Sequence, residues 1–472
     1  MESNGVVNTE FLTGPAGTGK TFEILRRIEE NPGSAILCAT TGIAAINMNT
    51  VTINSVLGYY NTADLGEKYA RGVLEHKLRM LASKKRPRQL TIDEVSMHPS
   101  AQLDMIYQAV QSVNAGDNEH EPLEHPLGIT LTGDFCQLPP VSTKADPAKW
   151  AFKADCWPSF AANTTKLTKI WRQTDPAFLQ AINHARAGNG LEASNGFRAM
   201  GAEFAGTRDM NFDGTTIIAN NDEVDAYNDK RLAQIKEPSF ALDARRWGIQ
   251  DRAWRSIPNR ACFRPTCLVM ILTNKKYSVY EQSHSSPYAY VNGDLAHVEY
   301  FDPEAEIVGT SRINIDGDFV PAIRIAPAVL VTVNRTGEQH LIEPITRLHT
   351  LKGGPDDEER ILKQVQRMAI KDPPVPQVGE YAPYWDEEKE RWIIGSITYY
   401  PLRLAYCTTV HKSQGLTLDR VQIDIQAPFF GAPGMAYVAL SRVRSKEGLR
   451  IVGNPMLLAN RIKLNPEVKE YL

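Results

Sequence analysis

The sequence predicts an α/β fold of two or more domains, and three observations carry that prediction. Apolar Phe11-Leu12-Thr13 breaks into the glycine-rich run Gly14-Pro15-Ala16-Gly17-Thr18-Gly19-Lys20-Thr21 and resumes as Phe22-Glu23-Ile24-Leu25-Arg26-Arg27-Ile28, which reads as strand, loop and helix. Further strand-length apolar runs lie at 34–39, 88–93 and 128–133, each followed by small or polar residues. The length of 472 residues exceeds what a single hydrophobic core fills.

Composition narrows the class. With 42% hydrophobic and 23% charged residues the chain reads as soluble and globular. It contains no run of 18 apolar residues and no basic-then-apolar leader, so it is expected to stay where it is made and not to be secreted. That compartment is the cytoplasm of a bacterial or phage-infected cell, or the nucleus for a eukaryotic or viral chain, with no membrane partner. Cys38, Cys136, Cys156, Cys262, Cys267 and Cys407 are scattered without a C-x-x-C pair. That excludes a zinc-finger or disulfide framework and leaves reduced, mostly buried thiols. At a net charge of −3, any nucleic-acid binding has to come from a local groove.

The glycine loop has the spacing G-x-x-x-x-G-K-T. Gly14, Gly17 and Gly19 let backbone N–H groups turn inward while the following helix points its positive end at the same spot, so residues 14–21 form a polyphosphate site. Lys20 would reach the β- and γ-phosphates of ATP, and Thr21 would hold Mg²⁺. The run Gln89-Leu90-Thr91-Ile92 ends in Asp93 and Glu94. Beside a glycine-loop strand, Asp93 would hold the metal through water, and Glu94 would orient and deprotonate the attacking water, which points to hydrolysis as well as binding.

Other segments carry weaker signals. Thr40-Thr41-Gly42-Ile43-Ala44-Ala45 opens a helix after a strand, another N-terminus able to receive phosphate. Between His76 and Arg88 lie Lys77, Arg79, Lys84, Lys85, Arg86 and Arg88, the most basic window of the chain, read equally as a solvated face or a nucleic-acid contact. The run 128–133 leads into Asp134-Phe135-Cys136-Gln137-Leu138-Pro139-Pro140, with Gln137 on the side where α/β sheets place ligands. Trp171-Arg172-Gln173 precedes an amphipathic helix over 175–187 that Gly188 and Gly190 end; an Arg there could also be an ordinary surface charge. The acidic loop 116–121 with His125 has no frame that fixes a metal-ligand spacing.

Taken in order, GPAGTGKT, TTGIAA, DEVSM, GDFCQLPPV and WRQ resemble the first-lobe motifs of the superfamily one, group B helicases, most closely the Pif-one and Dda types, with RecD more distant. Thr215–Asn220 with the helix 223–232, then Tyr406–Asp419, then Tyr437-Val438-Ala439-Leu440-Ser441-Arg442, continue the resemblance to the far end of the chain. The resemblance implies two RecA-like P-loop lobes, 1–205 and 206–274 with 393–472, holding nucleotide in the cleft. Short alternating strands between 275 and 392, with turns at 292–294 and 316–318, look like the SH3-like β-barrel insertion of that family. Residues 60–88 fall where the family inserts its strand-separating element.

The implied activity is ATP-dependent 5′→3′ movement on single-stranded DNA with unwinding of fork or tailed duplex DNA, by a monomeric translocase. An RNA helicase or translocase of the same superfamily, or a non-unwinding P-loop regulatory module, is the alternative. By the family's pattern, Lys20, Glu94, Gln137, Arg172 and Arg442 are catalytic; Gln137 senses the γ-phosphate, and the two arginines neutralise charge on the transferred group. Thr41, Ser55, His411, Lys412, Ser413 and Gln414 are the implied DNA contacts. In three places the pattern differs: Asn54 stands where the family's T-I-H-S segment has His, the region after DEVSM is acidic and only Pro126-Leu127-Gly128 resembles the end of the family's signature, and residues 1–10 hold no counterpart of its adenine-reading Gln, from which relaxed nucleotide selectivity is expected.

Overall fold

The structure is a computed structural model that describes the chain outside residues 1–5, 49, 86–87, 118–119, 143–146, 221, 252–253, 255–256, 274, 277–287, 291–292, 316–317, 352, 371–372 and 376–381. It forms two compact units: Met1–Tyr227 with Tyr406–Leu472, and Asn228–Ala405.

The first unit is built on two all-parallel sheets. Strands β1 (Thr9–Thr13), β2 (Ala35–Ala39), β3 (Val51–Thr52), β4 (Gln89–Asp93), β5 (Gly128–Gly133) and β6 (Thr164–Lys166) make six strands in the order β3-β2-β4-β5-β1-β6. All six residues of β5 are buried, because a central parallel strand is covered on both faces, and its run of Ile129, Thr130 and Leu131 suits that place. The sheet order corrects one expectation: β4, which ends in Asp93, is not next to the glycine-loop strand β1 but one strand away, with β5 between them. The second sheet has the order Cys407–Thr409, Thr215–Ile218, Val421–Asp424, Leu449–Val452, Glu203–Ala205. Here too an expected boundary moves. Glu203–Ala205, assigned by sequence to the first lobe, pairs with Leu449–Val452 and so belongs to the second sheet.

An aromatic cluster anchors the far end of the chain on the first sheet. Phe135 packs 5.5 Å from Phe11, 5.4 Å from Trp157 and 5.4 Å from Tyr471 of the last helix, Pro466–Tyr471. Tyr471 also stacks on Phe152 at 4.5 Å, a geometry that adds roughly 0.5–1.5 kcal/mol beyond area burial. The helix Pro176–Arg186 starts where the sequence places it, because Asp175 accepts a hydrogen bond from the Phe178 N–H at 3.0 Å. Residues 60–88 contribute two helices, Thr62–Ala70 and Val73–Lys85, tied to the helix Ser100–Ala115 by the Tyr69 hydroxyl to Gln108 at 3.0 Å.

The second unit is antiparallel. Gln339–Ile342, Asp318–Val333, Leu295–Ile315, Leu268–Ile271 and Leu402–Leu404 form one sheet; Arg245–Gly248, Arg391–Tyr399 and Ile345–Leu351 form another, which Tyr384–Asp386 joins. Where short strands were expected, Leu295–Ile315 and Asp318–Val333 run as a long hairpin of 21 and 16 residues, whose register shifts at three points. Residues 316–317 and 292 of the two expected turns lie outside the described residues. Within the same unit lies a helix, Glu358–Ala369, whose Ile361 and Val365 pack on Ile249, Trp392 and Ile394. No described helix is long and apolar enough to cross a membrane.

Candidate active site

The glycine loop follows β1 and opens the helix α1 (Lys20–Glu30). Gly14 lies so close to the chain after β6 that a Cβ there would meet the Leu167 carbonyl oxygen at 2.4 Å. Gly17, at φ +84°, adopts a backbone conformation that costs an L side chain energy, and a Cβ would also press on Arg172 Cβ at 2.8 Å. Within the loop, Thr18 Oγ1 donates to the Pro15 carbonyl at 2.9 Å. The Lys20 ammonium donates to the carbonyls of Gly14 at 2.8 Å and Pro15 at 3.1 Å, so it lies over its own loop. Burial lowers its pKa, against the pull of Asp134, Glu94 and Asp93.

At the end of β4 the two carboxylates do different things. Asp93 is 3% exposed and accepts a hydrogen bond from Thr21 Oγ1 at 3.0 Å, so the pair expected to hold a metal is in direct contact although β1 and β4 are not neighbours. Burial raises the Asp93 pKa. Glu94 has φ +56°, an uncommon conformation for a residue with a side chain, and its N–H donates back to Asp93 Oδ1 at 2.8 Å. Burial first, and the Asp93 charge second, push the Glu94 carboxyl up to about 7. A carboxylate poised near neutral pH is suited to general-base work.

Residues carried by the second parallel sheet reach this site. Gln414 Nε2 donates to Glu94 Oε2 at 3.0 Å. Arg172 donates to Thr417 Oγ1 at 2.9 Å and to the Ser441 carbonyl at 2.9 Å, and Gln173 Nε2 donates to the Val443 carbonyl at 2.8 Å. Burial, with Arg442 next, pushes Arg172 down to about 9. Arg442 is 1% exposed and donates to the Val438 carbonyl at 2.7 Å and to Ser441 Oγ at 2.7 Å, so its guanidinium rests on its own helix and loop. Its charge still acts on Glu94, lowering that carboxyl's pKa. Gln137 is 4% exposed and its Oε1 is buried with no hydrogen-bond partner, as is Gln414 Oε1.

The expected DNA contacts separate into two groups. His411 and Ser55 are exposed, Lys412 and Thr41 half-buried. Ser413 is buried with its hydroxyl donated to the Val410 carbonyl at 2.8 Å, and Gln414 faces Glu94. In this arrangement the side chains of Ser413 and Gln414 point into the lobe pair, because the short helix Val410–Ser413 turns that side inward. Thr41 Oγ1 accepts from the Ala44 N–H at 3.2 Å, and Ser55 Oγ lies 3.0 Å from Thr52 Oγ1. In the basic window, Arg86 lies outside the described residues. Of the acidic loop, Asn118 and Glu119 do so too, and His120 Nδ1 lies 3.0 Å from Asp117 Oδ1.

Three residues of the site were not anticipated: Asp134, Gln173 and Tyr437. Asp134 and Gln173 sit inside the segments already singled out, next to Gln137 and Arg172, but their partners come from elements distant in sequence. Asp134 is held by Arg186 at 2.8 Å, and Tyr437 donates to Asp134 Oδ2 at 3.0 Å.

The residues present fit a nucleotide with Mg²⁺. Thr21 and Asp93 offer adjacent oxygen donors at the N-terminus of α1, the hard-ligand chemistry that Mg²⁺ takes from a protein. The glycines leave the loop open to close approach, and Gln137 Oε1 is buried without a hydrogen-bond partner, a polar atom left for a ligand to satisfy.

The chain has relatives among known proteins. Residues 2–189 match the PIF1-like helicase family. The chain is 27% identical to the ATP-dependent DNA helicase PIF1 of Emericella nidulans over 98% of its own length and 60% of that protein's. It is 25% identical to human PIF1 with the same coverage of each chain, so it spans 60% of the length of these two relatives. It is 26% identical to the Pif1 of Bdellovibrio bacteriovorus, covering 98% of this chain and 87% of that one. Among solved structures, a Bacteroides Pif1 in complex with ADP-AlF4 superposes with a TM-score of 0.64 at 24% identity, over 99% of this chain and 93% of that one. The parallel-sheet α/β fold is thus the RecA-like fold of those structures. The chain is thus similar to the PIF1-like helicases, by the family match over residues 2–189 and by its likeness to the named helicases over nearly its whole length.

Proposed function

We propose that the protein is a DNA-stimulated ATP hydrolase that moves 5′→3′ on single-stranded DNA and unwinds fork or tailed duplex DNA. The observation that carries this reading is that groups of both lobes meet at one carboxylate. Glu94 of the first lobe is held by Gln414 of the second and feels the charge of Arg442. Hydrolysis that needs both lobes together is hydrolysis that can be tied to their motion. The relatives' names, ATP-dependent DNA helicase, and neighbours described as Pif1 bound to single-stranded DNA and at forked duplex DNA, support the substrate class.

In this reading the loop 14–19 and Lys20 bind the phosphates, and Thr21 with Asp93 holds the metal. Bound Mg²⁺ offsets phosphate charge, and ATP supplies the phosphoryl group that is cleaved. Glu94 accepts the proton of the attacking water at a carboxylate oxygen. Gln137 turns its free Oε1 toward the reacting side, and Arg172 and Arg442 stabilise the developing negative charge. His411, Lys412, Thr41 and Ser55 are the backbone contacts to the strand, of a kind that gives little sequence preference. The domain division we infer is one lobe on each parallel sheet, with 275–392 as an SH3-like insertion and 60–88 as the strand-separating element. ATPase rates measured alone, with poly-dT and with poly-rU test the assignment. Stimulation by poly-dT is expected; stimulation only by poly-rU would make the substrate RNA, and none by either would leave a binding module.

A further inference from the structure

Tyr437 lies on the second-lobe helix Met435–Leu440, 2% exposed, with its hydroxyl shared between two first-lobe groups. It accepts a hydrogen bond from the Ala16 N–H of the glycine loop at 2.8 Å and donates to Asp134 Oδ2 at 3.0 Å. The donor direction is fixed: an N–H can only donate, so the single hydroxyl proton goes to the carboxylate. Asp134, fully buried, is in turn gripped by Arg186 through Nη2 at 2.8 Å and Nε at 3.2 Å, and by the Cys136 N–H at 3.2 Å. The helix is pressed close at its start. Gly434, at φ +82°, leaves no room for a Cβ, which would meet the Gln137 carbonyl oxygen at 2.5 Å. A continuous chain of hydrogen bonds therefore runs from Arg186 through Asp134 and Tyr437 into the loop that receives the phosphates.

We propose that the Tyr437 hydroxyl is a positioning residue for nucleotide binding: acting through the Ala16 N–H and Asp134, it holds the glycine loop in its receiving shape only while the second lobe is seated. Ala16 N–H is buried and has this hydroxyl as its partner, so lifting the second-lobe helix away leaves a loop amide unpaired and frees the first turn of the loop. Asp134 is also the largest of the negative charges acting on Lys20, so the same chain bears on the lysine that binds phosphate. Tyr437 touches no reacting atom, and its contribution is the same before and during the chemical step. Its loss is therefore expected in affinity for nucleotide and not in the catalytic step itself.

This inference rests on the nucleotide-hydrolysing reading above. The test is binding of a fluorescent ADP analogue and ATPase kinetics for wild type, Tyr437→Phe, Asp134→Asn and the double variant, with hydrogen exchange over 14–20 as a second readout. Phenylalanine keeps the buried ring and removes only the hydroxyl. Loss of one buried hydrogen-bond partner is expected to weaken ADP binding by about tenfold, with KM raised several times more than kcat falls. Exchange over the loop should rise while that in α1 stays put. The double variant should be no weaker than the weaker single one, because both break one chain. Wild-type-like affinity and loop exchange in Tyr437→Phe, or fully additive effects, would overturn the inference while leaving the ATPase reading standing. Failure of the wild type to bind ADP would overturn both.

Discussion

Gln414 Nε2 stands 3.0 Å from Glu94 Oε2, although 320 residues and two different sheets separate them. The contact makes the environment of the first-lobe carboxylate depend on the second lobe, and several expected outcomes follow from it and from the groups around it.

Glu94→Gln keeps the shape and the capacity to hydrogen-bond Gln414 but cannot accept a proton. Nucleotide binding should survive while DNA-stimulated turnover falls by a factor on the order of 10² or more, the usual worth of a general base. Steady-state ATPase with a parallel binding measurement checks this, and turnover within threefold of wild type would remove Glu94 from the role.

Because Glu94 is pushed up to about 7, mainly by burial, its carboxylate form is lost as pH falls through that value. A base works only when deprotonated, so kcat should drop by about tenfold per pH unit below the pKa and level off above it. The Gln414 hydrogen bond favours the charged form. Gln414→Ala should therefore move the acid limb of the profile to higher pH; an unmoved limb would mean that the contact does not hold during turnover.

Arg172→Ala and Arg442→Ala should each cut DNA-saturated ATPase steeply, by roughly 10³-fold if the guanidinium faces the developing charge. Arg442 now rests on the Val438 carbonyl and Ser441 Oγ and must leave them to do so. A variant that changed only DNA affinity, with saturated ATPase intact, would assign that arginine to the strand instead.

In the second unit, Ile361 is wholly buried against Ile249, Trp392 and Ile394. Ile361→Ala should destabilise that unit by about 2–5 kcal/mol through lost contacts and a residual cavity. Chemical denaturation followed by tryptophan fluorescence, with Trp392→Phe as the control that removes the reporter nearest Ile361, would register the loss.

Much of the site was legible because its chemistry is local. The glycine loop, Asp93 and Glu94 each sit at a strand end that apolar patterning marks out, while roles for Gln137 and Arg172 came only from the resemblance. What pairing decides was less legible. Nothing in residues 203–205 says that their partner is Leu449–Val452, nor that β5 lies between β1 and β4. Tyr437 opens the motif that ends in Arg442, but nothing in that motif says that its hydroxyl lies between Ala16 and Asp134. Gln414 was expected to face DNA only through the resemblance of its segment to the family's DNA-contacting motif, whereas here its side chain donates to Glu94. The long hairpin 295–333 was read as short strands because bulges interrupt its alternation.

The central claim is that hydrolysis at Glu94, completed by the second lobe, drives directional movement on DNA. Its most direct test is a strand-separation assay with a fluorescent duplex carrying a single-stranded tail at either the 5′ or the 3′ end, run with ATP for wild type and Glu94→Gln. The expected result is that wild type separates the 5′-tailed duplex and not the 3′-tailed one, and that Glu94→Gln separates neither. Separation of the 3′-tailed duplex alone, or of the 5′-tailed duplex by Glu94→Gln at the wild-type rate, would contradict it.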